Sequence, residues 1–193
     1  IRTDEPPPIA GDEDMRRRIS GSVIDTPADL HAIDVVANGL DALGKPAGFV
    51  ARQIRGWTER WHGSKTSDIP EMETLALWLD AHTPIDVERP SLVHGDYKLD
   101  NVMLDAAQPD RLVGVFDWEM SAVGDPLVDV GILLAYWVHV TSVNDDAVGT
   151  VTTRPGWFGR EEILDPYPAR SHRTLDGIAL YEVFAVFKLA VVI

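Results

Sequence analysis

The segment from Leu92 to Asp125, LVHGDYKLDNVMLDAAQPDRLVGVFDWEMSAVGD, narrows what the chain can fold into more than any other part of it. It contains three short apolar runs, Ser91–Val93, Val102–Leu104 and Leu112–Phe116, each cut off by turn-forming residues. Runs this short, bounded by Gly, Asp, Asn and Pro, read as strands framing loops. The polar side chains gather at their ends. His94, Gly95, Asp96 and Lys98 follow the first run, Asn101 precedes the second, and Asp117 closes the third.

Asn101 lies five positions after Asp96, and Asp117 comes from a second loop, so one small sheet could bring the three together. Such oxygen ligands suit a hard cation such as Mg²⁺, which takes one or two protein carboxylates or amides and completes its shell with water and phosphate. Lys98 would place a positive charge beside a transferring phosphoryl group. Taken singly, Asp117 reads as a strand-end turn residue and Lys98 as a solvated lysine. It is their order on successive strand ends that points to phosphotransfer.

At these residues a family resemblance appears. His94-Gly95-Asp96-Tyr97-Lys98-Leu99-Asp100-Asn101 resembles the catalytic loop of the aminoglycoside/choline phosphotransferase family, itself similar to the protein-kinase loop H-R-D-x-K-x-x-N. Phe116-Asp117-Trp118-Glu119 stands where kinases carry D-F-G, and Gly124-Asp125-Pro126-Leu127-Val128-Asp129 resembles the family's continuation. The resemblance implies an α+β, predominantly helical fold: a protein-kinase-like C-terminal lobe with a small β-hairpin region carrying the catalytic and metal loops. It implies an ATP- and Mg²⁺-dependent transfer to a hydroxyl of a small molecule. Asp96 would take or orient the hydroxyl proton, Lys98 would neutralise phosphoryl charge, and Asn101 and Asp117 would hold the Mg²⁺. His94 would brace the loop, and Asp129 would accept its backbone N–H groups from a helix start. Trp57, Trp61 and Glu119 would lie on the acceptor side. The alternatives are a non-catalytic kinase-like binding module and, more weakly, a metal-dependent hydrolase built on His94, Asp96 and Asp117, which leaves Lys98 and Asn101 without a task.

Net charge is −14, from 31 acidic against 17 basic residues, and the longest basic run is Arg16-Arg17-Arg18. Nucleic acids and anionic membranes are bound through clustered positive charge, so neither is expected as a partner. The field of so acidic a chain would favour a cationic substrate. There are no cysteines, hence no disulfides and no thiolate metal site. No leader pattern of basic then apolar residues opens the sequence, and a cytoplasmic protein is expected.

In chain order, residues 1–11 read as an extended, proline-rich lead-in with few anchors, 12–90 as a helical part, 91–139 as the catalytic core, and 140–193 as a loop and terminal helices. Met15, Ile19, Val23, Ile24, Leu30, Ile33 and Val36 keep a helical rhythm, but Pro27 predicts a break near Asp25–Thr26 with a restarted helix. His31 reads as a packing residue. A second helix is expected over Phe49–Trp61, with Trp57 and Trp61 packing on a neighbour, and a third opens at Asp68 as cap and buries Met72, Leu75, Ala76, Leu79 and His82. Pro126–His139 is a buried helix in which Asp129 needs hydrogen-bond partners. Val140–Gly156 is a mobile loop, Trp157–Leu164 a short helix, Asp165–Pro168 a turn, and a last helix runs from Ser171. No glycine-rich phosphate loop or strand-borne lysine precedes Asp96, and the apolar pattern is still running at Ile193. The expectation is therefore a C-terminal lobe without its nucleotide-covering lobe, truncated at its far end as well.

Overall fold

The computed structural model describes residues 4–139 and 151–192. Helix α1 (Glu13–Ala32) starts where the Asp12 carboxylate accepts the Met15 N–H at 2.8 Å, with Glu13 and Asp14 in its first turn. A capping acid and early carboxylates both complement the helix's positive end. The helix does not break at Pro27. Proline removes the N–H that would have bonded the Val23 carbonyl four residues back, but the Tyr97 hydroxyl donates to that oxygen at 2.7 Å. A partner from another part of the chain fills the gap, so the backbone continues to Ala32. Ile33 caps the helix and Val36, expected on its buried stripe, is exposed.

Helices α2 (Phe49–Ser64) and α3 (Pro70–Ala81) follow. Asp68 does not cap α3: Ile69 occupies the cap position without a side-chain bond, and Asp68 is exposed beside Lys65 at 3.1 Å. Nor does His82 join the buried face; it lies just past the helix, exposed and stacked on Trp78.

Strands β1 (Ser91–Val93), β2 (Val102–Leu104) and β3 (Leu112–Val115) sit on the three apolar runs, but not in one sheet. β2 pairs antiparallel with β3, Val102 facing Val115. β1 instead pairs with β4 (Ala122–Gly124), a strand the sequence did not suggest, with Leu92 facing Val123. The loop from β1 to β2 turns away at Gly95, whose φ of +82° only glycine adopts freely, and where a Cβ would stand 2.5 Å from the Met120 carbonyl.

Helix α4 (Leu127–Leu134) is buried along its length and passes into a wider π-type turn at Ala135–His139. It packs on α7 (Ile178–Val192) so closely that a Cβ on Gly131 would meet the Tyr181 carbonyl at 2.5 Å. Between them lie α5 (Arg160–Leu164) and α6 (Tyr167–Ser171). α6 stands where a turn was expected, because Pro166 and Pro168 fall at its cap and first turn, where a missing N–H costs no intrahelical bond. The last helix starts at Ile178 rather than Ser171, since left-handed residues at His172 and Gly177 interrupt the chain. Of the loop predicted at Val140–Gly156, residues 140–150 lie outside the described residues; Val151–Thr153 forms a 3₁₀ turn that buries Val151 and Thr152 and is held by the Thr152 hydroxyl on the Trp137 carbonyl at 2.9 Å.

The lead-in is anchored rather than loose. Ile9 is buried, and the Glu5 carboxylate accepts from Arg16, Arg154 and the Trp157 indole at 2.8–2.9 Å. Among the described residues no helix is long and apolar enough to cross a membrane.

Removing the Tyr97 hydroxyl tests the repair of α1. Tyr97→Phe leaves a buried carbonyl unpaired, which should cost about 1–3 kcal/mol in urea denaturation. In a Pro27→Ala background the restored amide can take the Val23 oxygen, so the same substitution should cost less than about 1 kcal/mol there.

Candidate active site

The loop between β1 and β2 is fixed from below by one carboxylate. Asp129, in the first turn of α4 and fully buried, accepts the His94 N–H on one oxygen at 2.6 Å and the Gly95 N–H on the other at 2.7 Å. The imidazole of His31, on α1, lies 3.2 Å from it through Nε2, while the His31 Nδ1 meets the Tyr167 hydroxyl at 2.9 Å. Burial alone would push the Asp129 carboxyl up, but the His31 contact and the two backbone donors outweigh it and hold the group below the usual carboxylate range.

His94 braces the top of the same loop. Its Nε2 lies 2.7 Å from the Phe116 carbonyl and its Nδ1 accepts the Asp96 N–H at 3.2 Å, so both ring nitrogens are committed to backbone. That pair of contacts requires the Nε2–H tautomer. Trp118 covers the ring, with centroids 4.7 Å apart.

Asp96 follows, largely enclosed. The Lys98 ammonium contacts its Oδ2, the Lys188 ammonium its Oδ1 at 3.5 Å, and the Asn101 amide nitrogen its backbone oxygen at 2.9 Å. The Asn101 Nδ2 is thereby used inward, and its amide oxygen is the atom left to face a ligand. Asn101 also binds the other loop, since its carbonyl accepts the Phe116 N–H at 2.8 Å. Phe116 is thus held through both its backbone groups, by Asn101 on one side and His94 on the other, and Asp117 is the next residue along the chain.

Asp117 itself is exposed and left-handed, with φ at +66°. Among the described residues no hydrogen bond or ion pair engages its carboxylate. No cluster of three or more His, Asp or Glu in the described residues forms a protein-only metal cage. A Mg²⁺ drawing most of its ligands from phosphate and water does not need one, and one carboxylate with one amide oxygen fits that habit.

The expected acceptor-side residues divide. Trp57 is buried with its ring 5.2 Å from the Lys188 ammonium, and its indole N–H has no partner among the described residues. Trp61 points its indole N–H to Glu73 of α3 at 3.0 Å and packs α2 on α3, so it belongs to that helix pair. Glu119 is exposed in the turn after Asp117. Two residues at the site were not singled out from sequence. The sequence marks His31 as a packing residue, and Lys188 lies outside every motif in it.

Comparisons with known proteins identify the family and the fold. The model of the phosphotransferase enzyme family matches residues 4–163. The chain belongs to that family. A solved structure of a candidate aminoglycoside phosphotransferase from Ralstonia eutropha superposes with a TM-score of 0.83 at 32% identity, covering 95% of this chain and 56% of that one. A type I macrolide 2′-phosphotransferase, at 17% identity and TM-score 0.67 over 99% of this chain and 58% of that one, shares the fold. This phosphotransferase-family chain therefore has the kinase-like aminoglycoside phosphotransferase fold, α+β and mostly helical. Curated relatives include acyl-CoA dehydrogenase family member 11 of Gallus gallus, 34% identical over 86% of this chain, and member 10 of Mus musculus, 41% identical over 56% of it. The chain spans 22% and 10% of those proteins' lengths.

Because Asp129 is held below its ordinary value, its contribution to stability is present above about pH 4 and is lost as pH falls through the lowered pKa. Asp129→Asn turns one acceptor oxygen into a donor facing backbone N–H groups, and should cost about 1–3 kcal/mol at neutral pH. Urea denaturation at a series of pH values should show the gap between the two proteins narrowing below about pH 4.

Proposed function

We propose that this chain carries the catalytic half of an ATP- and Mg²⁺-dependent phosphotransferase acting on a hydroxyl of a small molecule. The observation that carries the reading is the meeting of Asp96, Lys98 and Asn101 at one loop whose Asn101 is hydrogen-bonded to the residue before Asp117.

In this reading the acceptor O–H surrenders its proton to Asp96 Oδ2 as its oxygen bonds to the terminal phosphorus. The bond from that phosphorus to the bridging oxygen breaks, and ADP leaves with the electron pair. Lys98, now resting on Asp96, turns its ammonium to the transferring phosphoryl group. Asn101, through its amide oxygen, and Asp117, through its unengaged carboxylate, would hold Mg²⁺. An ion held there would supply positive charge to offset the negative charge of the phosphates. An apolar hollow of about 390 Å³ beside β2, lined by Ile9, Leu99, Val102, Leu104 and Phe116 among others, suits the flat face of a nucleobase. In this reading the acceptor hydroxyl would approach Asp96 from its Oδ2 side, and Glu119, exposed just after Asp117, would be a candidate contact for the rest of the acceptor.

Asp96→Asn should lower kcat by roughly 10²- to 10⁴-fold, the usual worth of a positioned general base. The check is the full-length protein carrying this chain, given ATP, Mg²⁺ and a broad hydroxyl library. Asp96-dependent transfer or slow ATP hydrolysis supports the reading. Binding of Mg²⁺-nucleotide by calorimetry, with no turnover on any acceptor, would instead favour a non-catalytic binding module.

A further inference from the structure

Lys188 is an unusual residue for its place. It lies near the end of α7, a helix whose other charged side chain, Glu182, is taken by Arg160 at 2.8 Å, and it is only 7% exposed. Burying an ammonium costs several kcal/mol unless it is paired and hydrogen-bonded, and an apolar side chain of similar volume often serves stability as well or better. The packing of α7 on α2 and α4 alone gives no reason for a lysine.

What surrounds the ammonium does. Its Nζ donates to the Gly95 carbonyl at 2.7 Å, lies 3.5 Å from Asp96 Oδ1, and stands 5.2 Å from the Trp57 ring, a cation–π distance. The Met120 sulfur is 4.0 Å away. Burial lowers its pKa while the Asp96 carboxylate opposes that shift. Its charged contacts thus converge on the residue that carries the proposed chemistry.

Asp96 is held by two ammonium groups, one on each oxygen, with the Asn101 amide also 3.3 Å from Oδ2, and the two ammonium groups differ in how they are mounted. Lys98 sits on the loop itself, partly exposed, with its ammonium also over the Tyr136 ring at 4.9 Å. Lys188 rises from a helix that packs on both α2 and α4. For the reaction proposed above, Lys98 must leave Asp96 for the phosphoryl group, and Asp96 Oδ2 must be free to take the acceptor proton. We infer that Lys188 is the positioning residue for the general base: it keeps hold of Asp96 Oδ1 and the Gly95 carbonyl while Lys98 moves, so that Oδ2 stays aimed at the acceptor. It acts through Asp96 and not on the substrate.

This inference rests on the phosphotransfer reading, and its test separates the two. The measurement is kcat and nucleotide KM for the full-length protein with Mg²⁺ and ATP, on an acceptor from the hydroxyl screen or on Asp96-dependent ATP hydrolysis. Lys188→Gln keeps a donor for the Gly95 carbonyl and removes the charge; it should lower kcat by about 10²-fold, with nucleotide KM changed by less than about threefold. Lys188→Arg keeps the cation and should recover at least about tenfold of that loss. Combined with Asp96→Asn, Lys188→Gln should add almost nothing, because it works through a base no longer there. A kcat for Lys188→Gln within about threefold of the parent would overturn the inference. So would losses that multiply in the double variant, or a folded Lys188→Arg no better than Lys188→Gln. A parent protein that shows neither transfer nor Asp96-dependent ATP hydrolysis would instead sink the phosphotransfer reading itself.

Discussion

Everything at this site hangs from the Asp129 carboxylate and the donors around it. A charged group buried inside an apolar helix is tolerable only when its lone pairs are used, and here the His94 and Gly95 amides and the His31 ring use them. The consequence is mechanical. The loop bearing Asp96 cannot shift without exposing a buried charge, so its position is dictated by α4. α4 in turn lies against α7, where Gly131 lets the backbones nearly touch. α7 returns to the loop through Lys188, which grips Gly95 and Asp96. The path from Asp129 to α4, to α7, to Lys188 and back to Asp96 closes on itself, and a side chain held in a closed path loses little further freedom on reaching its reactive geometry.

The loop also stabilises what surrounds it. Tyr97 sends its hydroxyl into α1 to satisfy the oxygen orphaned by Pro27, and burial in that apolar setting pushes its phenol pKa far up, keeping it the neutral donor the contact needs. α1 carries His31 back to Asp129. Helix and loop therefore each complete a hydrogen bond the other lacks, and the segment carrying the proposed chemistry is also part of the core. Substitutions here mix stability with activity, and kinetic effects at these positions need a folding measurement beside them.

Much of this was legible in the sequence, for reasons that differ by residue. The three apolar runs were short and sharply bounded, so β1, β2 and β3 could be placed almost to the residue. Asp129 could be picked out because a lone acid in an apolar run demands a partner. β4 could not: three residues including a glycine carry no alternation, and only pairing with β1 makes them a strand. The unbroken α1 was illegible because Tyr97 lies far along the chain from Pro27, and local propensity knows nothing of distant donors. Asp68 shows the converse, a good cap by type that pairs with Lys65 instead. Lys188 was the costliest omission. It obeyed the Asp129 logic, a charge inside an apolar helix, but it stood outside every motif.

Charge at the site also runs against charge over the whole chain. A net charge of −14 suggests an attraction for cations. At about 0.15 M salt, however, fields between exposed charges fade beyond roughly 8 Å, while partly buried groups at contact distance are screened far less. Around Asp96 the nearest partners are two ammonium groups against one carboxylate, on side chains that are mostly enclosed. In the proposed reaction, a phosphoryl group arriving there would meet local positive charge despite the acidic surface. The long-range field can bias which molecules approach, but the arrangement of Lys98 and Lys188 about one carboxylate decides what that loop can hold.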